Sequence, residues 1–309
     1  MSTTNLERPT RCLPALEEHA ADPLVEDVVL ATDGGEASVG AMKWLARRSR
    51  LHRLNVTVMT VVEADWMTVQ LDSGTLERAA EECLDASETY LARVAPSAEV
   101  RTVQAWGEPR EEFARASQGA DLLVVGSNRT SGLSSVLGAS FSTKLAEGAD
   151  CPVVVVPRTW RAGKGAVVVG VQGDGSDEAA IRLAVREARI MHRELRIVHS
   201  WSYPPILAPI APLDEETPGV VDAHDSLLQG VVGRVRRENP TLSVSAVLAE
   251  GHPGEVLARE AQGGELLVVG SHGWTLMDRF FIGSVSREII SRPPCPVAVV
   301  RPFDKEVER

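Results

Sequence analysis

The stretch 270-GSHGWTLMDRFFIGS-284 puts glycines at 270, 273 and 283 and a serine at 284, directly after the apolar run LLVVG. A glycine lets a backbone N–H approach an anion with no Cβ between them. Gly283 and Ser284 open the helical pattern SVSREII. The positive end of a helix and the hydroxyls of Ser284 and Ser286 can therefore meet a phosphate. That chemistry is holding, not turnover. Phosphoryl transfer needs cations on the equatorial oxygens and a group to orient the nucleophile. This loop offers Arg279, no lysine, and Asp278 as an unsupported base. A second stretch, 126-GSNRTSGLSSVLGAS-140, lies 144 residues earlier and follows the same apolar run. It keeps Gly126 and Ser140 but carries Arg129 and Ala139 at the places of Gly273 and Gly283. A Cβ at 139 narrows the phosphate space, and Arg129 either supplies a cation or fills the pocket.

The correspondence extends over most of the chain. Gly107 with Gly251, Gly126 with Gly270 and Cys151-Pro152 with Cys295-Pro296 are all 144 residues apart. VVLATDGGEAS (28–38) and VVVGVQGDGSD (167–177) are 139 apart, so five extra residues fall between the first and third strands of the second copy. The Pro-rich stretch 202–219 is the place for them and reads as a mobile loop. Each copy alternates strands with helices. Continuous apolar runs such as DLLVVG (121–126), PVVVV (152–156), AVVVGV (166–171) and ELLVVG (265–270) suit strands buried on both faces of a parallel sheet. Between them lie helical patterns such as EASVGAMKWLARRSR (36–50) and DEAAIRLAVREARIMHR (177–193). The expected class is α/β, two tandem open parallel sheets with helices on both faces. The expected domains are 24–158 and 165–303, joined by a linker at 159–164 and preceded by a flexible tail at 1–23.

Composition excludes several function classes. With 309 residues and 44% apolar content the chain can bury two cores. A formal charge of −11 disfavours nucleic acid and anionic membrane as partners. The cationic runs RRSRLHR (47–53) and RVRR (234–237) close helical patterns, where they complement the helix dipole. Four cysteines do not make a disulfide framework, and Cys151 and Cys295 read as small buried apolar residues. No leader or membrane span is recognisable, which makes the cytoplasm the default expectation. No His, Cys or carboxylate cluster has metal-ligand spacing, so no metal site is expected in the chain itself. His199, at a strand end, reads as a satisfied, partly buried side chain. His272 reads as a solvated loop residue.

The loop G-x-x-G-x9-G-S after the fourth strand, with Asp33 at the end of the first in VVLATD, resembles the universal stress protein family in its tandem-domain form. That resemblance implies five-stranded sheets of order 3-2-1-4-5, of the Rossmann-like, adenine nucleotide alpha hydrolase-like kind. It also implies ATP, with or without Mg2+, bound between the first and fourth strands, and fifth strands that pair the two domains. Carried onto the second copy, the nucleotide-binding residues are Val171 and Gln172 after the first strand, and Ser200 beside the adenine. Val269 and Gly270 lie near the ribose, and Gly273, Gly283, Ser284, Val285 and Ser286 hold the phosphates. In the first copy they are Thr32, Asp33, Val61, Gly126, Ser140 and Ser142. The first copy keeps Asp33 but loses two glycines; the second keeps its glycines but has Gln172 at the Asp position. Glutamine is longer, uncharged, and both donates and accepts.

The resulting expectation is a nucleotide-dependent regulatory protein whose second copy holds ATP, with at most slow hydrolysis and no assigned catalytic residue. Two other readings stand beside it. One is a nucleotide-free dimerising interaction module. The other is an ATP pyrophosphatase-type enzyme, from the weak likeness of TDGGEAS (32–38) to that class's phosphate loop, with Ala37 at the Asp position. A homodimer of chains is compatible with the sequence, and no downstream protein partner is readable.

Overall fold

The computed structural model describes residues 25–63, 73–127, 134–202, 218–271 and 282–301. The expected N-terminal tail, most of the Pro-rich stretch, and Arg129, His272, Gly273, Asp278 and Arg279 lie outside them.

In the first copy, β1 (Val25–Ala31), α1 (Glu36–Arg48), β2 (Arg53–Val62), α2 (Ser73–Val94) and β3 (Glu99–Trp106) build one half of the sheet. It continues through α3 (Pro109–Ser117), β4 (Leu122–Ser127), α4 (Ser134–Gly148) and β5 (Val153–Pro157). The second copy repeats this with β6 (Val167–Gly170), α5 (Glu178–Met191), β7 (Leu195–Trp201), α6 (Pro218–Glu238) and β8 (Val244–Glu250). α7 (Pro253–Glu260), β9 (Leu266–Gly270), α8 (Ser284–Ser291) and β10 (Val297–Val300) complete it. One feature exceeds the pattern: a single 3-10 turn, Gly175–Asp177, precedes α5.

The strand order is β3-β2-β1-β4-β5-β10-β9-β6-β7-β8, so each half has the expected order 3-2-1-4-5. The halves join into one ten-stranded sheet. All pairings are parallel except β5 with β10, where Val155, Val154 and Val153 face Val297, Ala298 and Val299. Val154 and Ala298 are 144 residues apart, hence equivalent positions facing each other. A pseudo-two-fold axis passes through that pair.

Burial on both faces follows from the continuous apolar runs. Val28, Leu30, Val124 and Val154 point to a core closed by α1, α2, α5 and α6. The intervening Val29, Ala31, Val125 and Val155 point to a second core under α3, α4, α7 and α8. Period-2 strands thus supply both layers, as buried parallel sheets require. In α5, Ala180, Leu183, Ala184, Glu187, Ala188 and Met191 are buried at helical spacing. His192 then stops the helix in the left-handed conformation, with φ 51°. Cys151 and Cys295 are buried as expected. Among the described residues no helix is long and apolar enough to cross a membrane.

One expectation is corrected. Arg48, in the run RRSRLHR, is no helix-end cation in water; it is 1% exposed. Its Nε and Nη2 donate to both carboxylate oxygens of Glu26, at 2.5 and 2.7 Å, and its Nη1 and Nη2 donate to those of Glu187, at 2.6 and 2.9 Å. The axis between the halves turns this end of α1 inward, against α5, where a guanidinium satisfies two buried carboxylates at once.

Candidate functional site

β6 has β9 on one side and β7 on the other. The chain leaves it in one direction and returns in the other, which makes the carboxyl ends of β6 and β9 the switch point of this half. The ends of β1 and β4 are the equivalent point of the first half. Most of the expected site residues converge on these two places.

In the second copy Val171 follows β6, with its N–H donated to Val198 O at 2.9 Å. Val269 and Gly270 end β9 in the neighbouring position. Ser200 lies on β7, beyond the last pair that β7 makes with β6. α8 begins over the end of β9. Gly283 N–H donates to Ser271 O at 2.8 Å, and the Ser286 hydroxyl, buried, donates to Gly270 O at 2.6 Å. Gly283 is the N-cap and no side chain caps the helix. The first-turn N–H groups of Ser284, Val285 and Ser286 therefore have no capping acceptor from their own N-cap residue. Gly273, the remaining member of the set, is outside the described residues.

The two copies differ in the space at the strand end. A Cβ built on Gly126 would stand 2.1 Å from Ala37 O and 2.8 Å from Ser38 N, so the first turn of α1 sits directly on the end of β4. A Cβ on Gly270 meets no described atom within 4 Å. Among the described residues, the first switch point is closed by the backbone of α1, and nothing closes the second.

The loops after the first strands differ too. In the first copy Thr32 donates to the Ser38 hydroxyl at 3.0 Å, and the Gly35 N–H donates to Asp33 Oδ1 at 2.8 Å. In the second, Asp177 stands at the position of Ser38, and its Oδ2 accepts from the N–H groups of Gln172 and Gly173 at 2.8 and 2.6 Å. A carboxylate is thus present in both loops, at 33 in one and at 177 in the other, while the Gln172 side chain is exposed. Burial pushes the Asp177 carboxyl above its ordinary value, against the pull of the two N–H donors. The positive-φ glycine that makes each turn is retained, Gly34 at 74° and Gly173 at 88°.

Of the remaining first-copy positions, Val61 ends β2 beside Ala105, and Ser142 is buried in α4. Ser140 lies on the same helix. Sequence reasoning did not find Asp177 as a ligand of the loop. It also missed a ring cluster beside Val171. There, His199 Nδ1 lies 2.9 Å from Val171 O, and its Nε2 lies 2.8 Å from Nδ1 of His224, which stacks on Trp201. A carbonyl only accepts, so His199 carries its proton on Nδ1 and His224 donates from Nδ1. Asp177 was legible as an acidic residue at a helix start. His224 had no sequence signal, because it lies on α6 and meets the end of β7 only through the packing of that helix on the sheet.

Beyond Gly173 a surface groove of about 350 Å3 is lined by Asp174, Glu178, Leu227 and Arg234. Arg234 and Glu178 pair at 2.7 Å in it, and it is bounded by the loop after β6 and by α5 and α6. Among the described residues there is no group of three potential metal ligands.

A tandem pair of open sheets with a glycine-and-serine helix start at the switch point defines a class of two-lobed α/β proteins built from duplicated Rossmann-like units. Within that class the family is shown directly: the model described as "Universal stress protein family" matches residues 25–157 and again 165–301, and the chain belongs to that family. A universal stress protein of Mycolicibacterium smegmatis is 30% identical over 89% of this chain and 97% of its own length. One of Mycobacterium tuberculosis is 28% identical over 89% and 96%. In three dimensions the chain is similar to a universal stress protein from Archaeoglobus fulgidus, with a TM-score of 0.68 at 20% identity over 91% of this chain and 98% of that one.

Proposed function

We propose that this universal stress protein is a stress-response regulator that binds an adenine nucleotide, ATP above all, in its second copy, and that the first copy does not hold one. The observation that carries the reading is the contrast between Gly270, where a Cβ meets no described atom within 4 Å, and Gly126, covered by the Ala37 carbonyl. The residues suit the group. Val171 and Ser200 offer backbone at the base side, and Ser284, Val285 and Ser286 offer N–H groups at a helix start to phosphate oxygens. ATP bound there would supply an occupancy signal and a polyanion for the N–H groups at the start of α8. Mg2+ would arrive with the phosphates, since no described carboxylate cluster awaits it. Hydrogen-bond donors without a positioned base favour holding over hydrolysis.

The test is to denature purified protein, then identify and count the released nucleotide, and to titrate the stripped chain with ATP and magnesium. About one adenine nucleotide per chain, lost in Gly270→Val and retained in Asp33→Ala, is the expected result. Two per chain would show that the first copy also binds. None, with no binding on titration, would leave the interaction-module reading. Steady turnover at the ordinary enzyme scale of ~1–10³ s⁻¹ would overturn holding as the mechanism.

A further inference from the structure

Arg48 and Glu187 are equivalent residues of the two copies, 139 apart like the helices that carry them. They face each other near the pseudo-two-fold axis, each 1% exposed. The residues around them are equally asymmetric. Arg186 of the second copy reaches Glu26 of the first at 3.4 Å, while Arg47, its counterpart, reaches Glu265 at 2.9 Å. Glu26 itself corresponds to Gly165. Each copy contributes one cation and one carboxylate to the quartet of Arg48, Arg186, Glu26 and Glu187, but only a first-copy face against a second-copy face lets Arg48 meet Glu187 across the axis. Two first-copy faces would bring Arg48 against Arg48. Two second-copy faces would bring Glu187 against Glu187, each keeping its own Arg186 at 3.2 Å but losing the two-bond contact to the buried Arg48. In a buried site either juxtaposition is strongly disfavoured.

We propose that this charge pair makes the β5/β10 face selective: a first copy accepts only a second-copy face, so the chain closes on itself. Association of two chains through this face then proceeds only by reciprocal exchange of halves. Backbone pairing cannot supply that choice, because Val154 faces Ala298 in a register that like copies would reproduce. The short connection between β5 and β6 also favours closure, through effective concentration, and the test must separate the two causes.

Position 298 would face its own counterpart only in a pair of second copies, and position 154 only in a pair of first copies. Residues directly opposite in antiparallel strands lie within disulfide reach. Intact chains carrying A298C or V154C are unfolded and refolded at high concentration in a glutathione redox buffer, then run on non-reducing gels beside the wild-type chain. With native charges neither single variant should give more covalent dimer than wild type. The double variant V154C/A298C should cross-link within one chain. With Arg48→Met, Glu187→Met and Glu26→Gln added, the single-cysteine chains should give about tenfold more covalent dimer or better, since the like-charge penalty is gone. If that triple background does not refold, Glu187→Gln with A298C carries the same expectation. Covalent dimers with native charges would overturn the proposal. So would their absence in a refolded neutral background, which would make the connection alone responsible.

Discussion

At the scale of single residues, the two strand-end glycines make opposite predictions. Gly126→Ala forces a methyl to 2.1 Å from Ala37 O, so α1 must shift on β4. Overpacking of that kind costs about 1–3 kcal/mol, readable as a lowered midpoint in denaturant. Gly270→Ala meets no described atom within 4 Å and should leave stability within about 0.5 kcal/mol of wild type, while ATP affinity falls. Equal destabilisation by both changes would contradict the closed-and-open distinction. The thiols give another residue-scale expectation. Burial pushes Cys295 up to about 12, so at pH 8 roughly one thiol in ten thousand is ionised. Cys83, half-buried and raised by the same cause, should be modified by an aromatic disulfide reagent before Cys295; a native-state reaction of Cys295 at the Cys83 rate would refute that order.

Elements explain what those residues are for. The turn between β6 and α5 is tied by the Asp177 carboxylate to two backbone N–H groups. Asp177→Ala leaves both donors without that acceptor and should cost about 1–3 kcal/mol; a loss under 0.3 kcal/mol in a denaturant titration would mean the tie is dispensable. The strands themselves were legible because runs such as DLLVVG and PVVVV have no polar alternation, which only a sheet covered on both faces tolerates. The 144-residue repeat likewise announced the duplication, and the glycine spacing marked the loop before α8. Arg48 was misread for a physical reason. A cation in the last turn of a helix looks the same in sequence whether it meets water or another domain, and Glu187 is 139 residues away. The repeat does not single out Asp177, because its counterpart is Ser38, although an acidic residue at a helix start is itself a cue to a carboxylate that accepts backbone N–H groups. His224 could not be read at all, since nothing local brings an α6 residue to the end of β7.

The whole molecule is a single sheet whose middle carries three antiparallel residue pairs, apolar cores continuous across the two halves and a buried ionic quartet, and the quartet gives it a specific acid response. Burial alone would raise Glu26 and Glu187, but Arg48, hydrogen-bonded to both, outweighs that and holds each carboxyl below its ordinary value of 4.5. Carboxylates depressed in the folded state bind protons less readily than in the unfolded chain, so their contribution is complete above that value and is lost as pH falls below it. Each unit of depression in one group corresponds to about 1.4 kcal/mol. The support that this quartet gives the halves should consequently begin to fall only as pH drops below 4.5, and continue to fall as the acid becomes stronger. Scattering should record an increase in radius of gyration at acid pH while far-UV dichroism is still largely retained. The same titration of the triple variant Arg48→Met, Glu187→Met, Glu26→Gln should be flatter, because nothing at the axis then takes up a proton. An identical acid transition in that variant would place the sensitivity elsewhere, and a wild-type radius that grows only together with the loss of far-UV dichroism would show that the fifth strands and the shared apolar cores hold the halves together without the quartet.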